Sequence, residues 1–247
     1  MNKTLLALLI CFAGFQTPGL QAQEFSIGLK GGINKTYGGE ITGNNSNNPI
    51  EYTSDTFTAK GEIGFHGGLW TQINFGKFFI RPEVVYSKLE SRFDFPQGPR
   101  LYEIEEFSVP VLVGYNIFGP IDIYGGMAYK NIVSSEISGR KPLYIPATDS
   151  QEAFIRPIEN PSLPLSGQIG VKAEFGSFGL DIRYDHSLSS KESQDVDFIS
   201  NKDDFSFPVI NRAVMEDASL NQIIVSLTVK LFDTANKERR RRGGSCY

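Results

Sequence analysis

The chain has 247 residues, of which 40% are hydrophobic and 21% are charged, and its formal net charge at pH 7 is -4. Residues 23–232 carry 18 basic and 26 acidic residues, whereas the last fifteen residues, DTANKERRRRGGSCY, carry five basic and two acidic ones. An acidic body with a short basic tail lacks the basic face that a folded nucleic-acid-binding domain presents, so we expect no nucleic-acid partner.

Residues 1–22 have the features of a secretory signal peptide. Lys3 precedes an apolar run from Leu5 to Phe15, and Leu20-Gln21-Ala22 offers a cleavage site after Ala22. The run is too short for a membrane-spanning helix, and no later segment approaches the roughly eighteen apolar residues that such a helix needs. We therefore expect an exported protein in which any membrane span is built from the strands of a closed barrel.

Alternating apolar and polar residues predict eight β-strands. They lie at about 24–34, 61–74, 78–90, 104–117, 121–134, 164–175, 178–189 and 220–232. Three connections are short turns that share one design, Phe75-Gly76-Lys77, Phe118-Gly119-Pro120 and Phe175-Gly176-Ser177. Four are predicted to be long polar loops, at 36–59, 91–101, 135–162 and 191–219. Short turns at one end and long loops at the other are typical of an up-and-down membrane barrel.

The polar face of these strands is rich in glycine. The first strand sets Phe25, Ile27, Leu29 and Ile33 against Ser26, Gly28, Lys30 and Gly32, and other strands repeat the contrast. Glycine weakens a solvent-exposed strand and covers nothing, whereas a narrow barrel interior needs small residues beside large ones. The pattern therefore predicts that the polar face points inward and that the apolar face meets lipid.

Aromatic residues on the outward phase support this orientation, because two aromatic girdles mark the interfaces that a membrane barrel crosses. The members near the short turns are Phe75, Phe78, Tyr115, Phe118, Phe175 and Phe178, and those towards the loops are Tyr86, Tyr129 and Tyr184. The alternative is a soluble periplasmic or secreted barrel that binds a small ligand. It would place the aliphatic residues around a core or pocket and the glycine-rich face outside.

Several segments resemble the PorT-like outer-membrane β-barrel family, known mainly from Bacteroidetes. The segments are FSIGLKGGIN, IRPEVVYSKLE, FSVPVLVGYNI, IYGGMAY, IGVKAEFGSFGLDIRYDHSL and IIVSLTVKLF, and together they extend over most of residues 24–232. The resemblance implies an eight-stranded outer-membrane barrel. The namesake is linked to secretion of surface proteins, but a shared barrel does not transfer that role. The tail after Phe232 departs from the family pattern.

Charged residues on the inward phase predict a network inside the barrel. The residues are Arg81, Glu83, Glu106, Lys172, Glu174, Asp181, Arg183, Asp185 and Lys230. Buried charges require partners, so the first interpretation is a plug of ion pairs. A proton or ion path is the functional alternative. Diffusion of solutes is disfavoured, because water-filled channels occur in barrels of about sixteen strands.

A rim enzyme is a further alternative. Asp185-His186 lies near the loop end of the seventh predicted strand, with Asp203-Asp204 in the loop that follows, and a carboxylate-oriented histidine can act as a general base. The acidic loop 191–219 matches no ordered calcium-binding motif. We therefore expect a non-enzymatic protein with no catalytic, cofactor-binding or metal site.

The predicted organisation is a signal peptide at 1–22, an all-β outer-membrane barrel at 23–232 and a disordered basic tail at 233–247. The tail would lie in the periplasm, where Cys246, the one cysteine outside the signal peptide, could pair with another chain. The expected partners are outer-membrane lipid and, through the long loops, a protein or a surface polymer. A structural, binding or secretion-accessory role fits this organisation, and the sequence predicts no particular oligomeric state.

Overall fold

The computed structural model describes residues 23–43, 56–95, 98–137, 164–188, 193–199, 210–218 and 220–234, which form thirteen strands. Their bounds are β1 (Gln23–Tyr37), β2 (Glu40–Gly43), β3 (Thr56–Thr58), β4 (Lys60–Gly61), β5 (Ile63–Phe75), β6 (Phe78–Phe95), β7 (Gly98–Phe118), β8 (Ile121–Ile137), β9 (Leu165–Phe175), β10 (Phe178–Ser187), β11 (Gln194–Ile199), β12 (Ile210–Asp217) and β13 (Asn221–Asp233). The predicted signal peptide, Asp203-Asp204, Cys246 and the tail from residue 235 lie outside the described residues.

Eight long strands close into an antiparallel ring in the order β1-β5-β6-β7-β8-β9-β10-β13, and β13 pairs again with β1. The expected all-β, eight-stranded up-and-down barrel is therefore confirmed. The short β4 pairs with β6 just beyond β5. At the seam between the first and last strands, the Phe25 N–H donates to Thr234 Oγ1 at 2.8 Å. In the described part of the chain, no helix is long and apolar enough to span a membrane.

The three short turns form as the Phe-Gly-x pattern predicts. Gly76, Gly119 and Gly176 have φ angles of 66°, 54° and 64°, a left-handed conformation that hairpin turns require and that glycine adopts readily. In the second turn Pro120 holds its own φ negative, which selects a type II′ turn. The Asn116 side-chain amide donates to the carbonyl of Gly119 at 3.0 Å and helps to fix this turn.

The outer face of the barrel is apolar in a band that begins at the short turns and extends towards the long-loop end. Leu227 and Ile169, for example, leave 67% and 65% of their surfaces exposed. This arrangement excludes the soluble-barrel alternative, which required the aliphatic side chains to surround a core. On β6 the apolar outward positions run from Phe78 to Tyr86 and end at Lys88. Nine residues at about 3.3 Å each, tilted by about 40°, rise about 23 Å, which is close to the height of the apolar band of membrane barrels.

Aromatic pairs stand at both edges of this band. Phe78 and Tyr115 meet edge to face at the turn end, with ring centroids 4.9 Å apart. Tyr86 and Phe107 pack at the upper edge, with centroids 5.2 Å apart. Amphipathic and aromatic rings favour the membrane–water interface, so the pairs indicate where the barrel enters and leaves the bilayer.

The predicted long loop at 91–101 is wrong, because β6 continues to Phe95 and β7 resumes at Gly98. Above the apolar band the alternation inverts. The inward side chains of β6 become apolar at Leu89 and Phe93, while the outward positions between them are charged. Water replaces lipid outside the barrel at this height, so the wall takes the ordinary polarity of a soluble sheet.

A second sheet closes the long-loop end of the barrel. Its strands follow the order β11-β12-β2-β3, so the predicted loops at 36–59 and 191–219 contain paired strands, and we call this unit the cap sheet. Strand β8 extends to Ile137, into the loop that was expected at 135–162. Residues 138–163 lie outside the described residues. The cap sheet and the barrel mouth share one apolar cluster, formed by Ile41, Ala59, Leu89, Phe93, Tyr102, Ile104, Ile137, Met215, Ala218 and Leu220.

Candidate functional site

Large inward side chains lie over glycines on the neighbouring strand. Trp70 lies over Gly28, its cross-strand partner, and a Cβ added to that glycine would overlap the indole ring. Phe79 covers Gly114 and Tyr124 covers Gly170 in the same way. Because eight strands leave an interior just wide enough for side chains, these glycines allow the aromatic rings to fill it.

Glu83 is the centre of the most deeply buried ion-pair cluster. Its carboxylate accepts from Lys30 Nζ at 3.0 Å and from Arg183 Nη1 and Nη2 at 2.9 and 3.0 Å. Arg81 Nε lies 3.0 Å from the same carboxylate, and the Arg81 guanidinium stacks 4.3 Å from the centre of the Trp70 ring. One buried carboxylate is thus the shared partner of three cations, and a second carboxylate lies close by.

That second carboxylate belongs to Asp181, which lies 3.2 Å from Arg183 Nη2. Tyr124 joins the two groups, because its hydroxyl donates to Asp181 and accepts from Arg183 Nε at 3.0 Å. Arg183 Nη1 also donates to Gln168 Oε1 at 2.9 Å. The guanidinium donors of Arg183 therefore have acceptors on every side, as a buried arginine requires.

A second cluster lies nearer the short turns. Lys172 Nζ is 2.6 Å from Glu174 and 3.1 Å from Asp122. Glu174 also pairs with Lys230 at 3.2 Å and is 4.0 Å from Arg81 Nη1, which links this cluster to the central one.

A third cluster lies towards the mouth. Lys130 Nζ is 2.8 Å from Asp185 and 3.6 Å from Glu106. The Gln222 amide donates to Glu106 at 3.2 Å, and the Gln168 amide donates to Asp185 at 2.5 Å. Because Gln168 also accepts from Arg183, it joins the upper cluster to the central one.

The structure places all nine residues of the predicted charge network in the lumen and distributes them among these three clusters. The sequence analysis missed Lys30, Asp122 and Lys130 as members of the network. The three clusters contain six cations and six carboxylates, namely Lys30, Arg81, Lys130, Lys172, Arg183 and Lys230 with Glu83, Glu106, Asp122, Glu174, Asp181 and Asp185, and Asp233 also pairs with Lys230 at 3.3 Å. All three missed residues follow the inward phase of their strands, and that phase was the available signal.

The Asp185-His186 pair does not form a catalytic dyad. Consecutive residues of a strand point to opposite faces, so Asp185 faces the lumen while His186 is exposed on the outer wall, where its ring stacks on Tyr184. The other histidine, His66, lies inside the barrel and contacts Ser226 Oγ at 2.8 Å. In the described ranges, no group of three or more His, Cys, Asp and Glu residues could hold a metal ion.

A groove of about 900 Å³ lies on the outer wall across β7, β8, β9 and β10. It is lined by Gly125 and by the apolar side chains of Val113, Ile123 and Ile169. The groove lies within the apolar band, so lipid chains face it.

A closed eight-stranded barrel with an apolar outer band, aromatic edges and a filled polar interior defines an integral outer-membrane β-barrel protein, located in the cell outer membrane. The family model for an outer membrane protein beta-barrel domain matches residues 21–191, and the chain belongs to this family.

Two solved outer-membrane proteins are similar to this chain. The outer membrane protein OprG from Pseudomonas aeruginosa is 14% identical, with a TM-score of 0.44, and the match covers 85% of this chain and 96% of OprG. Neisserial surface protein A is 9% identical, with a TM-score of 0.32, and the match covers 83% of this chain and 97% of that protein. A search of curated proteins finds no match.

Proposed function

We propose that this protein is a non-enzymatic, non-conducting outer-membrane barrel that acts by binding a partner at its cap sheet. The observation that carries the proposal is that the barrel interior is closed in two places, within the lumen and at the mouth. Three linked ion-pair clusters fill the lumen, and an apolar cluster between the barrel mouth and the cap sheet covers it.

The closure argues against a solute path. A permeating solute would have to separate buried ion pairs, and separating one leaves an uncompensated charge in a low-dielectric interior. Above the ion pairs it would also have to displace Phe93 and Tyr102, which are fully buried beneath the cap sheet. The same argument disfavours an ion path, which would need titratable groups in contact with water at both ends.

The cap sheet offers the surface for a partner. Ile41 and Met215 point into the apolar cluster, so the alternate residues face outward. Thr56, Thr58 and Glu216 are exposed there. A polar sheet surface anchored above the bilayer by the shared apolar cluster suits a protein or surface-polymer partner. A secretion-accessory role would be one form of this binding activity.

Conductance in planar lipid bilayers tests the closure. We expect the purified full-length protein to show no stable conductance steps. Replacing Phe93 and Glu83 together, as Phe93→Ala and Glu83→Gln, should produce steps if the two barriers are what close the pore. Stable steps from the unmodified protein would overturn the non-conducting part of the proposal.

Photo-crosslinking in intact cells tests the binding surface. A crosslinking amino acid at Thr58 in the cap sheet should capture a partner, whereas the same residue at Lys77 in the first short turn is the matched control. Products from Lys77 and none from Thr58 would place the binding surface at the opposite end. Products from neither would contradict a binding role.

A further inference from the structure

A small cavity lies inside the barrel between the central and upper ion-pair clusters. It leaves about 10 Å³ for the centre of a water-sized molecule, which corresponds to one water. Its polar lining includes Lys30, His66, Glu106, Arg183 and Gln222. The cavity is therefore polar as well as large enough, and both conditions are needed to hold a buried water.

Two polar atoms of this lining have no hydrogen-bond partner among the described residues, His66 Nδ1 and Gln222 Oε1. Both side chains are deeply buried, with 5% and 1% of their surfaces exposed. Buried polar atoms are almost always paired with protein or with ordered water, because an unpaired one loses its hydration without compensation.

The orientation of the His66 ring is fixed by its neighbours. His66, Gly32 and Ser226 occupy one cross-strand row over β5, β1 and β13. Because Gly32 has no side chain, the His66 ring reaches across it and places Nε2 at 2.8 Å from Ser226 Oγ. The Gln222 side chain is held in a similar way, since its amide donates to Glu106.

We propose that the cavity binds a single water molecule that donates to Gln222 Oε1 and hydrogen-bonds to His66 Nδ1. The water completes the hydrogen bonding of the lumen between the upper and central clusters. This inference rests on the closed barrel of the proposed function and deepens it, because it adds one hydrated point to the barrel interior.

A crystal structure of the unmodified protein at a resolution that shows ordered water tests the proposal. We expect one peak at roughly 2.7–3.2 Å from both His66 Nδ1 and Gln222 Oε1. An exchange cross-peak between water and the His66 ring in an NMR spectrum would support the same assignment. An empty cavity, a direct bond between His66 and Gln222, or density with the anomalous signal of an ion would overturn it.

A pair of variants tests the role of Gln222. Gln222→Leu should lose the peak, whereas the matched control Gln72→Leu, in the cluster near the short turns, should keep it. A peak that survives in Gln222→Leu would contradict the proposed acceptor. A file of waters reaching both ends of the lumen would overturn the closed barrel itself, whereas an empty cavity would overturn this inference alone.

Discussion

Adjacent glycines in three strands face opposite sides of the wall. In Gly125-Gly126 the first residue faces lipid and the second faces the lumen, and Gly31-Gly32 and Gly67-Gly68 repeat the arrangement. A Cβ on Gly126 would overlap the carbonyl oxygen of Val111, whereas a Cβ on Gly125 would be 3.4 Å from its nearest neighbour atom. The second glycine of each pair is therefore fixed by packing, and the first is not.

Alanine substitutions should separate the two positions. Gly126→Ala should lower the free energy of unfolding by about 1–3 kcal/mol, because overpacking forces the backbone to shift. Gly125→Ala should have little effect, since its Cβ would meet ordinary contacts. Urea unfolding of the protein in lipid vesicles, followed by tryptophan fluorescence of Trp70, measures both. Equal losses from the two variants would contradict the assigned faces.

Glu83 is the shared carboxylate partner of three buried cations in the lumen. Glu83→Gln removes one carboxylate and leaves Lys30, Arg81 and Arg183 with too little negative charge, so we expect a loss of about 3–5 kcal/mol in the free energy of unfolding. The control is Lys60→Gln, which breaks an exposed ion pair with Asp94 and should change the stability little. Similar urea midpoints for both variants would show that the buried cluster is not stabilising.

The pKa of Asp94 gives a prediction for the wall above the membrane. The Lys60 ammonium, hydrogen-bonded at 2.6 Å, lowers the pKa of this carboxyl, and Arg92 adds to the effect. A lowered folded-state pKa contributes stability above the unfolded-state pKa and loses it as the pH falls through the folded-state value. An NMR titration should place Asp94 below its ordinary range, and Lys60→Gln should raise it. An unchanged midpoint would contradict the pairing.

At the scale of the element, the cap sheet depends on the apolar cluster at the mouth. Phe93→Ala should lower the free energy that holds the cap sheet on the barrel by about 3 kcal/mol, because it leaves a cavity between this sheet and the wall. Hydrogen exchange should then accelerate in β2 and β12 and stay slow in β9 and β10. The control is Phe118→Ala, which removes an exposed ring at a short turn. Acceleration throughout the barrel would show that the two units do not unfold separately.

The sequence predicted the barrel strands closely wherever lipid lies on one side and the lumen on the other. In that region the two faces differ strongly in polarity, so alternation marks each strand. The prediction failed above the bilayer, where β6 inverts its polarity around Phe93 and the lipid-facing pattern stops although the strand does not. It also failed for β2 and β12, because they pair with each other across about 170 residues and carry no local hairpin signal.

The sequence predicted part of the charge network in the lumen. Residues such as Arg81 and Glu83 follow the inward phase, which is visible in the alternation. Their partners are not visible in the alternation, because Arg183 reaches Glu83 across the barrel from a strand 100 residues away. The roles of Tyr124 and Gln168 as links between clusters depend on side-chain reach in three dimensions, which no spacing in the sequence records.

At the scale of the molecule, the closed ring predicts resistance to detergent. Membrane-fractionated protein should run at a shifted position on a gel without boiling and move to the position of the unfolded chain after heating. The shift arises because every barrel strand has partners on both sides, so detergent meets no open edge. Identical mobility with and without heating would contradict a stably closed barrel.

The seam at Phe25 and Thr234 has a consequence for how the molecule is made. Strands β1 and β13 are neighbours in the ring, so the ring stays open until β13 has been synthesised and exported. Until then β1 and the most recently added strand present unpaired edges, which are templates for wrong pairing and for aggregation. The growing sheet therefore has to be protected during assembly until β13 pairs with β1. A chain that stops before β13 would leave two open edges in lipid, which cannot form hydrogen bonds with them.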